Sequence, residues 1–419
     1  MLTNVWGSLV WSAMLAASVV AAPAPAAARV AASVSDLDKR AASSLKSQKL
    51  APKVMVVSMF APERAVWIEP MQLKYNYTVP GLSPLYPQVA CNKAREVCIV
   101  TTGEAEINAA ATMSALLLSS EFDFTQTYFL VAGIAGVNPY YGTLGTAAFA
   151  RFAVQVGLEY ELDARQMPSN WSTGYWALGT SQPGQLPKTS DLYGSELFEL
   201  NTNLLKRALQ VTKSIKLNDS SIAMQYRQKF DFAPANEPPK VTQCDVLTSD
   251  VYFAGTLLAE SFGNYTKLIT KGQGTYCTTA QEDNATLEAM VRATKAGLMD
   301  YSRVIVLRTA SDFDRAPPTI VSAYEAFEAE QGGFEPALEN LVIVGKPLVQ
   351  HILQFWNSIY KKGIEPQSKG NGSRFYGDNL GTIRTGQAQA KRALESHDDA
   401  RELMFKRNAK RFVEMRQKW

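Results

Sequence analysis

Histidine is almost missing from this chain: 419 residues include only His351 and His397. His351 lies in an apolar helical run and reads as a core residue, so acid–base work near neutral pH falls to carboxylates whose surroundings have moved their pKa. Neither sign of charge is in excess. Lys and Arg number 42 against 39 Asp and Glu, a net charge of +3 spread along the body, which argues against a nucleic-acid partner. The basic residues between Lys391 and Trp419 are interrupted by Glu395, Asp398, Asp399, Glu402 and Glu414 and read as a solvated helix. Beyond the N-terminal segment no apolar run approaches the ~20 residues of a membrane helix, so no span is expected in the mature chain. Cysteine is scarce too. The four residues contain no CxxC and have no histidine nearby, a spacing unsuited to zinc, and nothing calls for a metal or an organic cofactor.

What is present begins with a compartment signal. An apolar, Ala-rich stretch from Gly7 to Ala22 is followed by "PAPAAARVAAS", whose small residues suit cleavage. This predicts a signal peptide over 1–22, a linker over 23–50 and a secreted protein, extracellular or in the cell wall. No Lys or Arg precedes the apolar stretch, and an uncleaved anchor is the competing reading. Cys91 and Cys98 stand close together, Cys244 and Cys277 farther on. Those two pairs are the predicted disulfides, although four cysteines allow three connectivities. Sequons at Asn76, Asn170, Asn218, Asn264, Asn284 and Asn371 fit secretion, with sugar expected only on the surface ones.

The order of patterns is that of an α/β protein. "KVMVVSMF" is a continuous apolar run of strand length, as in sheets covered on both faces, and "EVCIVTTGE" is a second strand leading into the helical "INAAATMSALLLSS". "TYFLVAGIAGVNP" reads as a third strand running into a Gly-rich turn, and "LGTAAFARFAVQ" as a fourth strand. Residues 160–240, rich in Pro, Ser, Trp and Tyr, read as an insertion with a helix around Ser195 to Lys213. "ATLEAMVRATKAGL" is an amphipathic helix, "RVIVLRTASD" the last core strand and "ENLVIVGKPLVQHILQFWNSIYKKG" a C-terminal helix. The expected architecture is one α/β domain over 51–365, a mostly parallel or mixed sheet with helices on both faces, and a partly helical tail over 366–419.

Ligands of such sheets bind beyond the carboxyl ends of the strands. Glu63 follows the first strand, Gly103 and Glu104 the second, Gly133 to Pro139 the third, and Ser311 and Asp312 the last. Asp250, Tyr252 and Phe253 precede another helix-like stretch, and Glu282, Asp283 and Asn284 open the amphipathic helix. Taken singly, Asp312 reads as a helix cap and Glu282 or Asp283 as a partner of the helix dipole. Together at one edge of a sheet they favour a site.

"SMFAPERAVW", "TTGEAEINAA", "VAGIAGVNPYYGTLG", "DVYFAGTLLAESFG", "QEDNATLEAM" and "RTASDFDRAPP" together resemble the fungal purine nucleoside permease family, whose fold resembles the nucleoside phosphorylase and nucleosidase superfamily. The resemblance spans roughly residues 50–365. It implies a three-layer fold with a central mixed sheet, and purine nucleosides such as inosine, adenosine and guanosine as ligands. It also implies roles. Gln281-Glu282, with Ala285 following, matches the superfamily's Met-Glu that binds the ribose hydroxyls. Ser311-Asp312 matches its Ser-Asp at purine N7, and Gly133, Ala135 and Gly136 match a turn lining the purine and ribose. Glu63 matches the glutamate that helps to position water, with Pro62 and an extra residue shifting the register. Trimers and hexamers are common in the superfamily, which leaves a homo-oligomer open.

Breaking an N-glycosidic bond builds positive charge on the sugar and negative charge on the departing purine, which an acid must neutralise. With histidine so scarce, Asp312 is the candidate, its pKa raised by burial. Tyr252 and Phe253 are candidates for the wall on which the base stacks, or for plain core. A phosphate nucleophile wants free backbone N–H groups and arginine, whereas "TGEAE" sets Glu104 and Glu106 beside that pocket. Arg64, Arg95, Arg151 and Arg308 remain as anion ligands. Water is therefore the expected nucleophile, with phosphorolysis and non-catalytic binding or transport as alternatives.

Overall fold

The computed structural model describes residues 49–366 except residue 321. The expected signal peptide, nearly all of the linker, Asn371, His397 and the C-terminal tail lie outside the described residues.

Strand β1 (Val54–Ser58) shows why its sequence is an unbroken apolar run. Met55 and Val57 join one buried cluster and Val54 and Val56 another, so both faces of the strand are covered. Along the chain follow α1 (Ala61–Ile68), β2 (Tyr75–Thr78), β3 (Gln88–Cys91), β4 (Val97–Thr101), α2 (Glu106–Leu118) and the long β5 (Tyr128–Val137). Then come β6 (Ala147–Phe149), β7 (Phe152–Gln155), the small hairpin β8 (Tyr160–Glu161) and β9 (Tyr175–Trp176), β10 (Leu197–Glu199), α3 (Thr202–Thr212) and α4 (Ser221–Arg227). The remainder is β11 (Val241–Gln243), β12 (Asp245–Thr248), α5 (Thr256–Ile269), β13 (Tyr276–Ala280), α6 (Asp283–Lys295), β14 (Val304–Phe313), α7 (Ala323–Glu328) and α8 (Phe334–Gln354).

The main sheet runs β10-β7-β12-β13-β5-β1-β4-β3-β2, with β14 on β5 and β6, and β11 on β6. β1 is parallel to β4 and β5, β14 is parallel to β5, and β13 is antiparallel to β5, so the sheet is mixed. Met113 and Leu116 of α2 pack with Leu287 and Met290 of α6 against one face. Trp67 of α1, Leu204 of α3 and Leu341 and Val344 of α8 cover the other. This is the expected three-layer α/β arrangement.

The third strand departs from expectation in a way that matters. It does not stop at Gly133 but continues to Val137, and the turn comes only at Asn138, whose backbone carbonyl accepts from the N–H of Tyr141. β14 pairs along one edge of β5 from Phe129 to Val137. The other edge is shared: β1 takes Tyr128 to Val131, and β13 takes only Gly136 and Val137. The residues between have no strand partner on that edge.

Two other readings change. "LGTAAFARFAVQ" forms two strands, β6 and β7, because the chain leaves β14 after Phe149 and joins β12 and β10 from Phe152. The expected helix from Ser195 starts with a strand, Leu197–Glu199, and becomes helical only at Thr202, where the Asn201 side chain accepts the N–H groups of Asn203 and Leu204. Of the sequons, Asn76, Asn170, Asn218 and Asn264 are exposed. Asn284 is buried, its amide bonded to Thr248 and to the Ser195 carbonyl, so this fold leaves no room for a glycan there.

Both disulfides form as paired in the sequence reading, Cys91–Cys98 across β3 and β4 and Cys244–Cys277 between the approach to β12 and β13. Cross-linking lowers the entropy of the unfolded chain more for longer loops. Reduction should therefore cost about 2–4 kcal/mol per bridge, more for the bridge spanning 33 residues than for the one spanning 7. Urea unfolding with and without reductant measures this. Native protein reacting as four free thiols would contradict it.

Candidate active site

Where β5 lacks a strand partner, side chains take the place of the ladder. The N–H of Ile134 donates to Glu63 Oε1 at 2.7 Å, and its carbonyl accepts from Arg308 Nη1 at 3.0 Å. Glu63 stands in the first turn of α1, just beyond the end of β1, and its Oε2 accepts the N–H of Met59 at 2.7 Å. Position 133 must be glycine for this to happen. A Cβ there would lie 2.6 Å from Arg308 Nη1, 2.7 Å from Glu63 Oε1 and 2.9 Å from Met59 Sδ.

Arg308 sits in the middle of β14 and is buried with the acids that surround it. Its Nη2 is 2.6 Å from Asp283 Oδ2 and 3.2 Å from Glu282 Oε2. Arg308 is 2% exposed, Glu63 2%, Glu282 4% and Asp283 0%. Charges removed from water this completely persist only when they neutralise one another. Burial pushes Glu63 up to about 8 against the pull of Arg308 and the two backbone N–H groups. It also pushes Glu282 upward, opposed by Arg308 and by the N–H of Ala105.

Asp312 ends the same strand. The register of β14 against β5 slips between Ala310 and Asp312, so Ser311 is an extra residue at a bulge, a device that re-aims the side chain after it. Ser311 Oγ donates its one proton to Asp312 Oδ1 at 2.5 Å and lies 3.0 Å from the Ala135 carbonyl, while the phenol of Tyr252 donates to Asp312 Oδ2 at 3.0 Å. Burial raises the Asp312 pKa, the Ser311 and Tyr252 hydrogen bonds lower it, and the charge of Asp314 raises it. Gly136 leaves the necessary space, since a Cβ there would meet Thr279 Oγ1 at 2.5 Å and Asp312 Oδ2 at 3.3 Å.

These groups face one cavity of about 710 Å³. Glu63, Ala135, Gly136, Tyr252, Phe253, Glu282, Ser311 and Asp312 are all on its wall. Gly103, Gly133, Asp283 and Asn284 stand behind it: Gly103 at a positive φ of 84° in the turn before α2, Gly133 under Glu63, Asp283 on Arg308, and Asn284 on Thr248. Phe253 is buried on Phe262, whereas Tyr252 is 58% exposed at the mouth. Arg308 also lines the cavity and organises three acids, a role that the sequence reading did not give it. An arginine inside the run "VIVLRTA" is the signal, because a buried strand tolerates one only with acids beside it.

The second loop is already filled with protein carboxylates. The Ala105 N–H donates to Glu282 Oε1 at 3.0 Å and the Glu106 N–H to Asp250 Oδ1 at 2.8 Å. These amides open α2, where an anionic ligand would otherwise sit. Glu106, with Gln155 donating to it, is pushed up to about 7 by burial and by its neighbours Asp250 and Glu282. Of the arginines left as anion ligands, Arg308 is held by acids, Arg151 pairs with Glu199, and Arg95 lies over Tyr77 in the β3–β4 turn. Arg64 is half-buried beside Thr101, with Nη1 3.4 Å from its hydroxyl.

Residues 51–365 match the family model described as purine nucleoside permease. A purine nucleoside permease of Candida albicans is 46% identical over 337 residues, 79% of this chain and 81% of that protein. The chain belongs to the purine nucleoside permease family. A probable purine nucleoside permease of Schizosaccharomyces pombe is 40% identical over 315 residues, 73% of this chain and 90% of its own length. The methylthioadenosine/S-adenosylhomocysteine nucleosidase of Neisseria meningitidis, in complex with methylthio-immucillin-A, is 13% identical with a TM-score of 0.42, covering 72% of this chain and 99% of that one. The futalosine hydrolase of Helicobacter pylori is 12% identical with a TM-score of 0.42, covering 72% and 98%. The family name speaks of transport, yet no helix among the described residues is long and apolar enough to cross a membrane.

Proposed function

We propose that this permease-family protein binds purine nucleosides in the cavity and hydrolyses their N-glycosidic bond. One observation carries the reading: a single cavity is lined by two buried glutamates, Glu63 and Glu282, and by Asp312, whose pKa is raised by burial. Glu282 would hold the ribose hydroxyls, Glu63 a water molecule and Asp312 the purine N7. As the bond breaks, the Asp312 proton passes to the base and water adds to the sugar carbon, its proton going to Glu63. Free purine and ribose result.

Water is favoured over phosphate because Glu282 and Asp250 already occupy the first amides of α2, and a phosphate would meet their charges. The same acids favour uncharged nucleosides over nucleotides. Secretion is supported by the two disulfides and the exposed sequons.

Glu63→Gln should keep nucleoside binding and lower hydrolysis of inosine by about 10²–10⁴-fold, the usual worth of a positioned acid or base. Full activity in this variant, followed as free hypoxanthine, removes Glu63 from the mechanism. The names of the relatives support a second reading, binding for uptake without cleavage. Under that reading the wild-type protein binds inosine and releases no base.

A further inference from the structure

The phenol of Tyr252 donates to Asp312 Oδ2, and both residues line the cavity. Both ends of the loop between β12 and α5 are pinned: the N–H of Ser249 donates to the Ala280 carbonyl at 3.0 Å and that of Gly255 to the Asp314 carbonyl at 2.8 Å. Asp250 is held as well, its carboxylate by the Glu106 N–H and its carbonyl by the Gln281 side chain. Between these anchors Val251 and Tyr252 are exposed, whereas Phe253 is buried on Phe262. Val251 is 67% exposed and Tyr252 58%, and the Tyr252 ring meets Phe327 of α7 edge-on at 5.5 Å, itself 50% exposed. Gly255 supplies the turn at a φ of 122°, a conformation that a residue with a side chain rarely adopts.

A side chain so exposed whose hydroxyl is nevertheless spent on a half-buried carboxylate is in the position of a cap. We propose that Tyr252 is a displaceable cap on Asp312: its O–H occupies Oδ2, the position that the purine N7 takes, so a nucleoside enters by exchanging the phenol for its own base edge. The inference rests on the assignment of Asp312 to the base and goes beyond it, since it makes entry and protonation one event. In the free protein Asp312 accepts from Ser311 and Tyr252, the pattern of an ionised carboxylate. A natural purine offers N7 as an acceptor. When it replaces the phenol, Asp312 must take one proton from water, and that proton is the one it gives to the base when the glycosidic bond breaks. The phenol keeps its own proton throughout and moves towards solvent with its ring still available for stacking.

Few other groups titrate against Asp312. Asp314, one residue beyond β14, faces Arg315, which donates to both of its oxygens, and Tyr276 of β13, which donates to Oδ2. The negative charge behind Asp312 is thus compensated, leaving the Tyr252 hydrogen bond as the one that substrate entry can alter. Tyr252 is by this account a positioning residue for Asp312.

The test compares wild type with Tyr252→Phe, a change at an exposed site that keeps the ring. The probe is 9-deazainosine, a C-nucleoside whose carbon–carbon bond cannot be hydrolysed and whose N7 carries a hydrogen that can replace the phenol on ionised Asp312. Its Kd is measured by calorimetry between pH 5 and 8. At pH 8 the variant should bind about tenfold more tightly, because no charge-assisted hydrogen bond has to be broken first. That advantage should shrink as the pH falls and Asp312 takes up a proton. Equal or weaker binding by the variant, or an advantage constant across pH, overturns the cap and leaves the nucleoside site standing. If neither protein binds the probe, the assignment of Asp312 to the base fails and the cap fails with it.

Discussion

Asp312→Asn should lower kcat for inosine by about 10²–10⁴-fold and change KM little. The amide is nearly the same size, still accepts from Ser311 and can still donate to N7, so the base should be held. It cannot release a proton, so the purine must leave as an anion. The wild-type carboxyl can serve as the acid because burial raises its pKa and because Ser311 and Gly136 fix its place on the wall. A steady-state comparison separates the two parameters. A large rise in KM with kcat preserved would mean that Asp312 only binds the base, and unchanged kinetics would remove it from the site.

Arg308→Met should be the most destabilising single change near the cavity, by about 3–5 kcal/mol at pH 7. Methionine fits the volume but leaves Glu63, Glu282 and Asp283 buried without their cation. The pH dependence gives the prediction its sign. Burial already holds Glu63 and Glu282 above their ordinary values with Arg308 in place; without its charge they rise further, so the folded state of the variant binds protons still more readily. The deficit should be smallest at acid pH, where Glu63 and Glu282 are protonated with or without Arg308, and should grow as the pH rises through their raised values, about 8 for Glu63. Urea denaturation midpoints between pH 5 and 9 measure it. A deficit that does not vary with pH would mean lost packing rather than stranded charge.

Fold and site were legible in the sequence to different depths, for physical reasons. β1, β4, β14, α2 and α6 could be read because strands covered on both faces are continuously apolar and helices carry the 3.6-residue period. β5 was cut short because glycine usually marks a turn. Here Gly133 and Gly136 lie within a strand, and what they accommodate, Arg308 with Glu63 and Asp312 with Thr279, comes from segments far away in the chain. The short β6, β7 and β10 could not be separated locally, since their boundaries are set by which partner each strand meets. The wall residues Glu63, Glu282 and Asp312 were found because each stands at a strand end. Asp283 and Asn284 follow Glu282 directly, but the first turn of α6 rotates them inward, behind the cavity. The filling of the α2 amides by Glu282 and Asp250 is a contact between residues more than a hundred positions apart, and nothing local announces it.

The most direct test of the central claim is incubation of the purified protein with inosine, with and without inorganic phosphate, and chromatography of the products. Hydrolysis in this cavity predicts hypoxanthine and free ribose at the same rate in both. Hypoxanthine appearing only with phosphate, alongside ribose 1-phosphate, would contradict it and point to an anion site beside Arg64. No hypoxanthine in either would contradict cleavage altogether.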